Sequence, residues 1–367
     1  MNLKQLRINL AAITLILICV GIVMIYSASA IYAYENLGDS AYFLKRHLFY
    51  VLIGLLGALL VMSVDYRFFK KAAKPMILIS IGLLVLVLVP GIGKQVGGAR
   101  RWFRLFGFSF QPSEFAKFAM IVYTAEFLSR KKSMVTSFFQ GFLPVLMVLG
   151  SLCLLVIVQP DLGTVLAMSS ICFILFFVGG VRLAHIISFV LLSLPALYFL
   201  VFSVPYRRRR ILAFIDPWAD PQGTGFQIIQ SLVALGSGGV NGLGLGQGKQ
   251  KLLYLPAAYT DFIFSIIGEE LGFIGAASIV VLFALFLIQA TKICLKASDS
   301  FGQYLSFGLI SCLVIEAIVN MGVVTSLLPT KGLPFPFISY GGTSLVFNMI
   351  YVGLILNVGR IKSQVKQ

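Results

Sequence analysis

The sequence predicts an all-α polytopic membrane protein with about ten transmembrane helices and one large extracytoplasmic loop between the seventh and the eighth. Two observations carry this. Of 367 residues, 59% are hydrophobic and only 11% charged, and mean hydropathy is +0.97, where a soluble globular domain has about 25% charged residues. The apolar residues are also gathered into runs, and a helix needs roughly 17 to 25 apolar residues to cross a bilayer. The runs fall at 9–31, 47–64, 75–90, 114–129, 140–158, 162–180, 184–204, 263–290, 302–323 and 340–360. The chain reads as a single membrane domain over 1–367, with the large loop at 205–262 inside it.

The first run follows Lys4 and Arg7 in the manner of a signal peptide. It is too long for one, lacks a convincing cleavage site and is followed by further runs, so it is read as an anchor. After the third run comes GIGKQVGGARRWFRLFGFSFQPSEFAKF (91–118), which pairs Lys94, Arg100, Arg101 and Arg104 with Trp102, Phe103, Phe106 and Phe108. Aromatic and basic residues together place it at the membrane interface. Pro112 and Ser113 open the next helix, and Lys117 lies three residues after Glu114 on the same face, within reach of an ion pair. Gln159-Pro160-Asp161-Leu162-Gly163-Thr164 interrupts two back-to-back apolar runs. Polar backbone there reads either as a minimal turn or as a site lining a cavity.

The interval from Tyr206 to Gly272 is the longest polar-bearing stretch. Its aromatics and amphipathic runs mark it as folded. Arg207 to Arg210 start it at the membrane edge, where headgroup binding is the alternative to a ligand-binding role. Phe226, Ile229 and Val233 have helical spacing, so 225–235 is expected to lie flat on the outer leaflet. The glycine run 236–248 fails as a phosphate loop, because Leu243 and Gln250 stand where that motif needs Gly and Ser or Thr; it reads as flexible turns. Asp261 closes the interval, directly before the eighth run, and read from the residues alone it is either an N-cap or a functional carboxylate. In the last loop, LLPTKGLPFPFISYGG, three prolines forbid a continuous helix and present Lys331. Glu316, inside the ninth run, is expected to face the bundle interior.

An even number of spans puts both termini on one side. With the termini inside, basic residues divide almost evenly between the faces, so the positive-inside rule alone is nearly undecided. The outer cations, however, cluster in three loops rich in Gly, Pro and aromatics. Cations kept on a translocated face point to an anionic ligand. Four of the five cysteines fall in apolar runs and Cys294 lies just past one, none with CxxC spacing, which argues against disulfides or a zinc site. His47 and His185 have no nearby ligand partner in sequence.

Ten strings in order, YSAS (26–29), GARRW (98–102), QPSE (111–114), QPDLGT (159–164), YRRRRILAFIDPW (206–218), GFQIIQSLVALGSGG (225–239), KLLYLP (251–256), TDFIF (260–264), GEELG (268–272) and PTKGLPFPFISYGG (329–342), resemble the SEDS family of bacterial peptidoglycan polymerases. The resemblance covers almost the whole chain, and the LLPTKG string is closer to the division-specific branch, FtsW, than to the elongation branch, RodA. It implies a ten-helix enzyme that polymerises glycan strands from lipid II, an undecaprenyl pyrophosphate disaccharide-pentapeptide. The reaction would run on the outer face of the bacterial cytoplasmic membrane during cell division. It further implies a class B penicillin-binding protein as partner, with other division proteins, and no nucleic acid. The family's essential aspartate falls on Asp261 and its TKG lysine on Lys331. One departure is Pro256-Ala257 where the family commonly has Pro-Glu, so a second carboxylate there is in doubt; Tyr259 and Thr343 differ more mildly.

The expected chemistry is then specific. Breaking the donor's anomeric bond releases a pyrophosphate whose charge needs cations, with Arg207, Arg210, Lys331 and Lys117 as candidates. Asp261 is the expected general base for the acceptor hydroxyl. Arg101, Trp102, Glu114, Gln159 and Asp161 complete the substrate-binding candidates. No cofactor is indicated with certainty, and a pyrophosphate donor leaves room for a divalent cation. The rivals are an elongation-type polymerase, a lipid II flippase built on Glu316 and the polar break, and a structural scaffold. The absence of an evident internal repeat argues against the transporter.

Overall fold

The computed structural model describes residues 2–96, 98–105, 108–252, 254–256, 258–330 and 332–360. Lys331, Ala257, Phe106, Lys362 and Lys366 lie outside the described residues. The ten expected spans correspond one for one to α1 (Leu3–Leu37), α2 (Tyr42–Ser63), α3 (Arg67–Leu86), α4 (Pro112–Arg130), α5 (Leu143–Val158), α6 (Leu162–Val178), α7 (Leu183–Phe202), α10 (Ile263–Leu295), α11 (Ser300–Val324) and α12 (Thr343–Val358). Two further helices, α8 (Pro205–Ile215) and α9 (Phe226–Ser237), lie in the large loop.

Six of the helices are long and apolar enough by themselves to cross a membrane. Of the four others, α6 and α12 are uncharged but shorter, α3 carries exposed cations in its first two turns, and α4 turns its charge inward, with Glu114 and Lys117 buried in the bundle. Around it, α3 packs along α4, α2 along α12, α1 along α10, and α11 against α4, α6 and α10. α7 stands at the edge, with Ile186 its only buried residue among the described ones. Leu192 is 78% exposed and Leu78, on α3, 70%. Apolar surface on that scale needs lipid to cover it, so the chain is an integral, multi-pass membrane protein.

The loops add one unexpected element and correct one expectation. Three short strands, β1 (Lys94–Val96), β2 (Ala99–Leu105) and β3 (Phe108–Phe110), form a small antiparallel sheet in that order. The reason is visible in ARRWFRL, where Ala99 and Phe103 are buried and Arg104 is exposed, a period-two pattern. Gly98, at φ +79°, makes the turn between β1 and β2. The correction concerns α9, whose apolar face is covered by protein instead of being left to the leaflet. Ile228, Ile229, Ser231 and Ala234 are buried, whereas Val233 is exposed. The hydroxyl of Ser231 donates to the Val324 carbonyl at 2.7 Å and bonds Ser265 at 2.7 Å, so α9 is seated on α10 and α11.

Candidate active site

The site is built where the chain enters α10. Asp261 precedes the helix, but the N-cap is Phe262, with no side-chain capping bond. The capping reading of Asp261 therefore fails, and its carboxylate is not spent on the helix. The backbone around it is clamped to the loop between α11 and α12. The Tyr340 N–H donates to the Tyr259 carbonyl at 3.0 Å, and the Ser339 hydroxyl donates to the Thr260 carbonyl at 2.6 Å. The side-chain amide of Asn320, on α11, donates to the carbonyls of Asp261 at 2.9 Å and Leu333 at 2.8 Å. Three consecutive carbonyls are thus fixed, and the direction of the Asp261 side chain is fixed with them.

On its other flank Asp261 meets Gly332. A Cβ placed on Gly332 would stand 3.1 Å from Asp261 Oδ2, so glycine leaves the carboxylate room. Arg210, on α8, donates to the Thr330 carbonyl at 3.2 Å, and its guanidinium lies 4.4 Å over the Tyr206 ring. Burial pushes the Asp261 carboxyl up to about 6 against the opposing field of Arg210. A carboxylate in that range is ionised at neutral pH and still basic enough to take a proton.

An aromatic cluster props the same loop from outside. Tyr259 packs on Phe43 at 4.4 Å between ring centroids, on Tyr32 at 5.7 Å and on Tyr340 at 6.0 Å. These rings tie the end of α1, the start of α2 and both loops together.

The other expected site residues are placed as follows. Arg207 shares a side of α8 with Arg210 three residues on, but it donates to the Leu200 carbonyl of α7 at 2.9 Å. Arg210 is the cation whose charge acts on Asp261. Arg101 clasps the turn between α5 and α6, donating to the carbonyls of Gln159 at 2.8 Å and Pro160 at 2.5 Å, with Trp102 beneath its guanidinium at 6.0 Å. Gln159 is buried and donates to the Leu84 carbonyl at 3.2 Å. Asp161 caps α6 through the Thr164 N–H at 3.2 Å and hydroxyl at 2.9 Å. The polar hexapeptide is thus a capped turn, and its Gly163 also lines a cavity of about 280 Å³ with Leu166, Ala167, Val319, Pro329 and Leu333.

Glu114 and Lys117 do form the expected ion pair, at 3.0 Å, but Lys117 also bonds Glu316, which faces the interior as anticipated. All three are buried. Lys117 shared between two buried carboxylates has no charge to spare for a pyrophosphate, so Glu114 and Lys117, expected as substrate contacts, form with Glu316 an internal brace of the bundle.

Sequence reasoning missed Asn320 and Ser339. Each is an ordinary polar residue, one inside an apolar helix and one in a proline-rich loop, and only the fold brings them onto the Asp261 loop.

The comparisons agree with this architecture. A chain 47% identical over 98% of this one and 96% of its own length is the probable peptidoglycan glycosyltransferase FtsW of Geobacter metallireducens (strain ATCC 53774 / DSM 7210 / GS-15). The stage V sporulation protein E of Bacillus subtilis (strain 168) is 46% identical, covering 96% of each chain. Among solved structures, a chain of a peptidoglycan synthase complex that coordinates polymerization and crosslinking matches with a TM-score of 0.79 and 32% identity, covering 97% of this chain and 98% of that one. Thermus thermophilus RodA, the rod shape determining protein, matches at 0.72 and 26%, covering 97% of each. The family model described as "Cell cycle protein" matches residues 7–364, and with that match spanning nearly the whole sequence the chain belongs to the FtsW, RodA and SpoVE family of cell cycle proteins.

Proposed function

We propose that this protein is a peptidoglycan glycosyltransferase of the division-specific, FtsW-like type, polymerising lipid II into glycan strands on the outer face of the bacterial cytoplasmic membrane. The observation that carries the reading is Asp261: an uncapped, partly buried carboxylate with an affinity for protons near neutrality, held by backbone clamps beside Arg210. The relatives named as FtsW, at 47–49% identity, support the division role.

In this reading Asp261 accepts the proton of the acceptor hydroxyl as its oxygen attacks the donor's anomeric carbon. The bond from that carbon to the pyrophosphate oxygen breaks, and undecaprenyl pyrophosphate leaves with the electron pair. Arg210 stabilises the charge that develops there, aided by Arg207 and by Lys331 of the TKG string. Arg101 and Trp102 of β2, with Gln159 and Asp161, hold the turn that borders the same loop. One base and no separate nucleophile make this a single inverting displacement.

A class B penicillin-binding protein is the proposed partner, a reading supported by the likeness to a chain from a synthase complex that joins polymerization to crosslinking. Both termini lie in the cytoplasm, the loop at 205–262 faces outward, and the protein works at the division site. The test is the fate of labelled lipid II given to the purified protein with its partner. Glycan strands are expected; translocation across a vesicle membrane without polymer would replace the enzyme with a transporter.

A further inference from the structure

Three strings of the sequence have no part in the chemistry just described: YSAS on α1, the glycine run after α9, and GEELG on α10. They meet at one place. α10 is broken at Gly272, whose φ of 68° and ψ of −167° suit glycine alone. Such a break strands backbone groups that lipid cannot satisfy, and the glycine run fills them. The Leu243 and Gly244 N–H groups donate to the Glu269 and Glu270 carbonyls at 3.0 Å each. The Phe273 and Ile274 N–H groups donate to the Gly239 and Val240 carbonyls at 2.9 and 3.2 Å. A Cβ on Gly242 would lie 2.2 Å from the Glu270 carbonyl oxygen, which is why this run is glycine.

Side chains lock the seat. Glu270, wholly buried, accepts from Lys251 Nζ at 2.6 Å, from the Ser27 hydroxyl at 2.7 and 2.8 Å to its two oxygens, and from the Gly246 N–H at 3.1 Å. The Lys251 ammonium also donates to Ser27 at 3.0 Å. Glu269 accepts from the Lys249 N–H at 2.7 Å and the Gln250 N–H at 3.2 Å. The short helical segment Ile263–Leu271, with Asp261 at its head, is therefore separated from the membrane part of α10 by the break. α1 and the glycine run hold its far end, while Ser231 of α9 and Asn320 of α11 hold the end near Asp261.

We propose that the buried latch of Ser27, Lys251 and Glu270 positions Asp261, by fixing the orientation of the segment 263–271 independently of the rest of α10. These are positioning residues; none touches the reacting atoms. The inference rests on Asp261 as the base. It also gives the large loop a second role, since whatever displaces the glycine run displaces the catalytic carboxylate.

The test combines hydrogen exchange with kinetics on the full-length protein in complex with its partner. Glu270→Gln is expected to speed amide exchange in a peptide covering 258–271 while leaving 275–295 unchanged. Turnover is expected to fall by about 10- to 100-fold, the scale of a roughly 1 Å misplacement, with KM nearly unchanged. Ser27→Ala, which removes one hydroxyl and little else, is expected to move both readouts the same way by less, and it serves if Glu270→Gln does not fold. Glu269→Gln keeps an oxygen for both N–H groups and is expected to resemble wild type. Unchanged exchange in both latch variants, or faster exchange with unaltered turnover, would overturn the inference. Full activity in Asp261→Asn would instead overturn the assignment of the base, and the exchange result would still report whether the latch holds the segment.

Discussion

Asp261 is where burial, charge and backbone geometry converge, and its protonation state follows from them. Burial raises its carboxyl to about 6 and Arg210 restrains the rise. A general base works only when deprotonated, so the rate of polymerisation is expected to fall as pH drops below about 6. Replacing Arg210 by Gln removes the restraining charge, so the acid limb moves to higher pH, in addition to the loss of leaving-group stabilisation. A pH–rate profile of the two proteins checks both; an acid limb that does not move in the variant would separate Arg210 from the carboxylate. The aspartate was legible in the sequence from TDFIF and its place before an apolar run. Asn320 was not, because one amide within a helix carries no pattern, and its role exists only once α11 brings it against the Asp261 and Leu333 carbonyls. Asn320→Ala would leave both carbonyls without that donor, at about 1–3 kcal/mol for a buried polar group left unsatisfied. The expected result is a lower melting temperature together with reduced turnover; a stable, fully active variant would show that the clamp is dispensable.

At the scale of elements, helices were easier to read than what they do with their polar residues. Long apolar runs dictate spans wherever they occur, whereas the face of α9 was misassigned because Val233 looks as apolar as the buried Ile229. The small sheet was overlooked because its short alternation was masked by arginines and aromatics that also fit an interfacial loop. Glu114 with Lys117 was legible from spacing three apart, but the third member, Glu316, is 199 residues away from Lys117. That triad is expected to matter for stability rather than substrate binding. Lys117→Met would leave two carboxylates buried without their cation, a change of about 3–5 kcal/mol for a broken buried pair, and should abolish accumulation of folded protein. Adding Glu114→Gln and Glu316→Gln to it should restore folding, as measured by size-exclusion profile and thermal denaturation. Failure of the triple variant with normal folding of the single one would contradict the assignment.

For the whole molecule, composition determined the environment and an even span count placed the termini together, while the near balance of basic residues left orientation to the character of the loops. The ten spans fall where expected because a bilayer enforces length and apolarity. Their neighbours in space, such as α2 against α12 and α1 against α10, were not legible, since nothing local in the sequence encodes which apolar face meets which. Orientation can be checked in intact cells on a cysteine-free background. A cysteine at position 252, exposed in the large loop, is expected to react with a membrane-impermeant maleimide. One at position 70, in the first turn of α3, is expected to stay unlabelled until the cells are opened. The reverse pattern would turn the protein over and remove the site from the outer face.

The most direct measurement compares wild type with Asp261→Asn in glycan-strand synthesis from lipid II, each purified with the proposed penicillin-binding partner at matched folding and complex yield. Asparagine has nearly the same shape and cannot take the proton. The account predicts polymer from wild type and none from the variant; equal synthesis by both would place the base elsewhere.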